Sequence, residues 1–139
     1  MKQLYFICVI LIISTSSCKS PKEAMQSSTA LYNTKWSLIK IHGNGNEEIV
    51  NTKAFIRFDK EKGSAGGNSS CNNFGSSATI SRNEVTFKNI FSTKMYCEQV
   101  QQFENKFLGR LEKVTRYEIK DKSLFLYKDK ELLLQFASE

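Results

Sequence analysis

Short alternations of apolar and polar residues, about 8 to 12 residues apart, recur along most of this chain, and that spacing constrains the fold more than any other feature. In residues 54–59, Ala54, Ile56 and Phe58 alternate with Phe55, Arg57 and Asp59, the period of a strand buried on one face. Residues 35–41 place Trp36 and Leu38 on one side and Ser37 on the other. Residues 64–68 read as a small-residue strand whose glycines let a neighbouring element come close, and residues 76–81 pair back after Gly75. A hairpin ends at Asn83, beyond which Val85 and Phe87 alternate in the next strand. The last third is a meander of three strands, residues 115–120, 123–128 and 131–136, turning at Asp121-Lys122 and Asp129-Lys130. Its inward positions are Tyr117 and Ile119, Leu124 and Leu126, then Leu132, Leu134 and Phe136.

A single stretch has the other period. Over about residues 98–111, Val100, Phe103, Phe107 and Leu111 recur at spacings of three and four, while Glu98, Gln101, Glu104 and Lys106 fill the remaining side. Gly109 weakens the last turn by roughly 1 kcal/mol relative to Ala. One helix cannot supply the crossovers of a parallel sheet, so the strand spacing leaves a sandwich or a closed barrel with the helix packed on it. A length of 139 residues, 40% of them hydrophobic, suits one domain with a continuous core, placed at residues 31–139.

Residues 1–17 read as a signal peptide: Lys2 carries the positive charge, residues 4–13 are unbroken apolar chain, and residues 14–17 are small and polar. The apolar run is about half of the roughly 20 residues that a membrane-spanning helix needs. Small residues ahead of Cys18 resemble the lipobox of bacterial lipoproteins, with Thr15 standing where Leu is usual. That resemblance implies cleavage before Cys18 and lipidation of its thiol. Ordinary secretion with cleavage near Ser16 or Ser17 is the alternative, and it leaves Cys18 free. Residues 18–30, with Pro21 and three serines, form the lipidated cysteine and a flexible tether. No acidic run follows Cys18, which favours a lipid-anchored place on the outer membrane facing the periplasm.

Cys8 leaves with the signal peptide and Cys18 is consumed by lipid, so Cys71 and Cys97 remain as a pair in an oxidising compartment. A disulfide between them is the expectation, and two free buried thiols are the alternative. The Lys and Arg residues behind the net charge of +6 are spread along the chain rather than clustered. That pattern suits anionic envelope polymers and lacks the basic, aromatic-laced stripe of a nucleic-acid binder. Catalytic sets are missing. His42 is the sole histidine and sits beside a glycine turn, there is no Gly-x-Ser-x-Gly elbow, and zinc would need more Cys and His than are present. The glycines before Cys71 lack the Lys-Ser/Thr ending of a phosphate loop, and Cys71 and Cys97 are too far apart for a Cys-x-x-Cys redox motif.

Several motifs then fall into one order: Thr34-Lys35-Trp36-Ser37-Leu38, Ile56-Arg57-Phe58, Cys71-Asn72-Asn73-Phe74, Thr93-Lys94-Met95-Tyr96-Cys97, Glu104-Asn105-Lys106-Phe107-Leu108 with Leu111, and Val114-Thr115-Arg116-Tyr117. In this the chain resembles the META domain family, which includes the heat-inducible HslJ lipoproteins of bacterial envelopes, and the likeness spans residues 31–136. The Thr-x-Met-x-Cys motif fits in full. The other diagnostic motif departs at Ser70, where Gly is usual, which argues against a positive φ before Cys71. The resemblance implies a mainly β, α+β fold: a small antiparallel barrel-like domain with one packed helix. It also implies no enzymatic activity, with links to heat stress, envelope maintenance and antibiotic tolerance.

The expected function is that of a non-enzymatic, lipid-anchored envelope module, monomeric and without cofactor or metal. It would touch the membrane through its lipid and would meet an envelope protein or anionic polymer, not nucleic acid. Asn72, Asn73, Thr93 and Lys94, beside the disulfide, are the candidate partner surface. The competing account of those residues is structural, with amides and hydroxyls satisfying backbone groups where strands are interrupted. A small-molecule carrier using the barrel interior is a second function, although Trp36, Phe58, Phe87, Leu126 and Phe136 look large enough to fill it. A third is inhibition of an envelope enzyme by the loop at residues 43–48.

Overall fold

The computed structural model describes residues 31–43 and 45–139; the signal segment, the lipid site at Cys18 and the tether lie outside the described residues. Among the described residues there are nine antiparallel strands: β1 (Trp36–Gly43), β2 (Asn46–Ile49), β3 (Phe55–Asp59), β4 (Ser64–Asn68), β5 (Asn73–Ser81), β6 (Glu84–Ser92), β7 (Arg116–Lys120), β8 (Ser123–Lys128) and β9 (Glu131–Ser138). The helix α1 (Gln101–Leu111) lies in the chain between β6 and β7. Strand order is β2-β1-β3-β4-β5-β6-β7-β8-β9, and an added β1–β9 pairing closes a ring. This is the mainly β, barrel-like domain that the sequence implies, with a helix packed on it.

β1 serves three neighbours because it is long. Its start pairs with β3 at Trp36↔Ile56, its end pairs with β2 at Lys40↔Ile49, and its other edge runs along β9. The alternation expected over residues 54–59 holds, with Ala54, Ile56 and Phe58 buried. The weakest seam is β6–β7, joined by one residue pair, Glu84↔Arg116, and backbone bonds such as Val85 N–H to Thr115 C=O at 3.1 Å. α1 packs Phe107 edge-on to Phe74 of β5 at 5.5 Å and to Phe136 of β9 at 6.4 Å. Its apolar side thereby closes the core between two strands that are not neighbours in the ring.

Three local expectations need correction. β2 was absent from the sequence reading because Asn46-Glu47-Glu48-Ile49 has no alternation, and all four residues are exposed. In β9 the core residue is Leu133 rather than Leu132: the ladder with β8 shifts register between Leu126 and Tyr127, so Leu133 and Leu134 are both buried. The helix begins at Gln101, with Val100 at its N-cap position, and Glu104 faces inward with Phe107 and Leu111 instead of lying on the polar side.

Candidate functional site

The site is assembled by the β4–β5 hairpin. Gly67 lets β3 approach so closely that a Cβ there would lie 2.0 Å from the Phe55 carbonyl oxygen. The strands stop pairing at Asn68↔Asn73, and residues 69–72 form the loop. Ser69 donates to the Asn72 carbonyl through both its N–H and its hydroxyl, each at 2.8 Å, and the Ser70 N–H donates to Asn68 Oδ1 at 2.8 Å. Between these bonds Ser70 is driven to φ 92°. The positive φ that its side chain argued against is therefore present, with the loop's hydrogen bonds holding a non-glycine residue there.

That turn delivers Cys71 and Asn72 to the segment that precedes α1. The sulfurs of Cys71 and Cys97 lie at disulfide distance, with Cα atoms 6.1 Å apart. Closing a loop with this 26-residue separation stabilises the fold by about 3 to 4 kcal/mol on the chain-entropy account. Asn72, only 2% exposed, uses every polar atom it has. Its Nδ2 donates to Glu104 Oε1 and to the Met95 carbonyl, both at 2.9 Å, and its Oδ1 accepts from the Thr93 hydroxyl and the Met95 N–H, both at 2.8 Å. The Asn72 backbone N–H donates to Glu104 Oε2 at 3.1 Å. Glu104 is itself 3% exposed, so a buried carboxylate on α1 and a buried amide on the hairpin satisfy each other.

This geometry divides the four residues expected to form a partner surface. Asn72 is a correction: it is buried and structural. Asn73, Thr93 and Lys94 are exposed, and Thr93 spends its hydroxyl on Asn72 while its N–H donates to the Asn73 carbonyl at 3.0 Å. The reading of polar residues missed the apolar side chains beside them. Phe91, Met95 and Tyr96 are 69%, 60% and 78% exposed. It also missed Glu104, although a signal was there: residues 100, 104, 107 and 111 recur at helical spacing, which puts Glu104 inside the apolar stripe.

The inward side chains Trp36, Ile56, Leu124, Leu126 and Phe136 are each no more than 2% exposed and pack the interior of the ring among the described residues. A cleft of about 820 Å³ lies instead on the outside, lined by Tyr32, Lys35, Arg57, Asp59, Lys60 and Glu139 among others. Its charges are balanced internally. Lys35 and Ser37 bond Glu139 and hold its carboxyl below the usual range, and Lys62, through its N–H and its ammonium, does the same for Asp59. His42 Nε2 is buried without a hydrogen-bond partner among the described residues. No three of His, Cys, Asp and Glu come together as a metal-holding group among those residues.

Solved structures share this arrangement of strands and helix. The chain is similar in fold to a protein from Burkholderia xenovorans solved by NMR, at 20% identity over 94% of this chain and 99% of that one, with a TM-score of 0.68. It is similar also to the crystal structure of a DUF4847 family protein from Bacteroides vulgatus, at 16% identity over 79% of this chain and 95% of that one, with a TM-score of 0.59. No curated protein sequence matches the chain. The META domain model matches residues 29–139, the span that holds the ring of strands, the helix and both cysteine motifs, and the chain belongs to the META domain family.

Proposed function

We propose that this protein is a non-enzymatic, lipid-anchored module of the bacterial cell envelope, HslJ-like, that serves envelope maintenance under stress by contacting another envelope component. Membership of the META family supports an envelope-associated domain. Cys18 behind a signal-like segment supports the lipid anchor, and the absence of an acidic run after it supports the periplasmic side. One observation carries the contact itself: Lys94, Met95 and Tyr96 point to solvent from a backbone clamped by Cys71–Cys97 and Asn72. A rigid backbone that presents apolar tips loses little conformational freedom on binding.

The test is photo-crosslinking in intact cells from a diazirine side chain at position 96, with position 121 on the β7–β8 turn as the control. An adduct specific to position 96, lost when the neighbouring exposed Phe91 and Met95 are both changed to Ser, is the expected result. Equal labelling at both positions would remove the reading. Cys18→Ser should release the protein from the membrane fraction, and retention there would remove the anchor.

A further inference from the structure

We propose that residues 88–96 form a docking face for an anionic lipid surface, with Phe91, Met95 and Tyr96 entering the headgroup region and Lys88 and Lys94 facing lipid phosphates. The proposal rests on the envelope contact argued above and names its partner. Among the described residues, four large apolar side chains are exposed, and Phe91, Met95 and Tyr96 are three of them. They are packed into six consecutive residues, so the exposure is concentrated rather than scattered.

Their backbone is held firmly. Asn72 bonds both the N–H and the carbonyl of Met95, and Cys97 is tied to Cys71. The Phe91 ring rests on Gly75, where a Cβ would come within 2.6 Å of it. The fold therefore fixes this segment's main chain while leaving its apolar tips in water.

Charge selects the partner. Lys88 and Lys94 are exposed, neither is in an ion pair among the described residues, and the sequence has no carboxylate between Glu84 and Glu98. Shape selects a bilayer over an acidic peptide. The side chains protrude, and the large cleft is lined by none of them. A peptide needs a groove or pocket to hold it, whereas a bilayer accepts protruding aromatics at headgroup depth with lysines alongside.

The full chain is reconstituted on vesicles of phosphatidylglycerol mixed with phosphatidylcholine, or of phosphatidylcholine alone, and footprinted with hydroxyl radicals. On the anionic vesicles, oxidation of Phe91, Met95 and Tyr96 should slow severalfold while Ile49, 77% exposed and outside the segment, keeps its rate. Each lysine near an anionic surface contributes roughly fivefold in affinity, so Lys88→Glu with Lys94→Glu should lower the docking constant by at least roughly 25-fold and restore the free rates. Unchanged rates on anionic vesicles, or equal slowing on neutral ones, overturn the proposal. Slowing without vesicles as protein concentration rises overturns it in favour of a second copy, and slowing that requires polyglutamate overturns it in favour of an acidic peptide. Intact mass of the same sample reads Cys18 separately. Lipidated Cys18 with an unprotected segment sinks the docking face alone, and protection without lipid upholds the face and sinks the anchor.

Discussion

The β7–β9 meander and the hairpin–helix junction at Asn72 are held by opposite means. In the meander, Tyr117, Leu124, Leu126, Leu133, Leu134 and Phe136 are buried together, and each contributes on the order of 1.5 to 3 kcal/mol through area removed from water. At the junction a disulfide, one amide and one carboxylate do the holding, with Phe74 and Phe107 packed behind them. Apolar packing is non-directional and shared among many atoms, so its loss is graded. A buried polar set fails as a unit, because removing one member leaves the others without partners in a medium that cannot solvate them.

The sharpest way to test that contrast is Asn72→Ala. It strands the Glu104 carboxylate with a single backbone donor, frees both backbone groups of Met95 and takes away the acceptor of the Thr93 hydroxyl, which keeps only the bond it accepts from the Asn73 N–H. The expected loss is about 3 to 5 kcal/mol, as large as Phe136→Ala in the meander. The two differ in coupling. A double-mutant cycle of Asn72→Ala with Glu104→Leu, read by urea denaturation, should show an interaction energy of about 1 to 3 kcal/mol, since the second change removes the stranded charge. Strict additivity would mean that the two side chains do not depend on each other.

Second in size is the disulfide. Replacing Cys71 and Cys97 by Ala should cost about 3 to 4 kcal/mol of global stability. The Asn72 bonds to Met95 should nevertheless keep residues 93–95 in place, so the Met95 amide should stay protected from hydrogen exchange in the native state. Loss of that protection would show the covalent bond, not the amide, to be the clamp.

Within the meander the contrast can be sharpened at Tyr117, the one core residue there with a polar tip. Its hydroxyl donates to the Arg82 carbonyl at 2.9 Å, and burial, with a smaller effect from Tyr32, pushes the phenol above its ordinary value of 10.0. A folded value above the unfolded one gives stability that is fully present below pH 10 and lost as pH rises through the folded value. Tyr117→Phe should therefore cost about 1 kcal/mol at neutral pH and flatten the decline in stability above pH 10. Chemical denaturation at stepped alkaline pH measures both.

The same contrast explains what could be read from the chain beforehand. The meander was legible because burial imposes period two, and Tyr117, Leu124, Leu126, Leu134 and Phe136 obey it; Leu133 escaped because a bulge slips the register by one. The pairing of Cys71 with Cys97 was legible from counting thiols under the expectation of an oxidising compartment. The pairing of Asn72 with Glu104 was not, because a buried carboxylate satisfied by an amide 32 residues away leaves no local pattern. Its charge assigned Glu104 to the solvent side of a helix whose geometry put it inside. Met95 and Tyr96 were hidden for the reverse reason, since apolar side chains are expected to pack and these do not.

The smallest expected effect falls on the junction and has the opposite sign. Ser70 sits at φ 92°, beyond the 53° to 54° at which Arg82, Asn89, Asp121 and Asp129 occupy the ordinary left-handed region. A Cβ in such a conformation costs on the order of 1 to 2 kcal/mol, and glycine avoids that cost while gaining freedom in the unfolded chain. The Ser70 hydroxyl makes no hydrogen bond among the described residues, and its N–H bond to Asn68 survives the change. Ser70→Gly should stabilise the protein by about 0.5 to 1 kcal/mol, raising the urea midpoint at constant slope. If the midpoint falls instead, the strain at this turn is carried by the backbone bonds of Ser69 and Asn72 and not by the side chain. A rise would locate the strain of this turn in one Cβ, at a φ well beyond that of the meander's own left-handed turn residues Asp121 and Asp129.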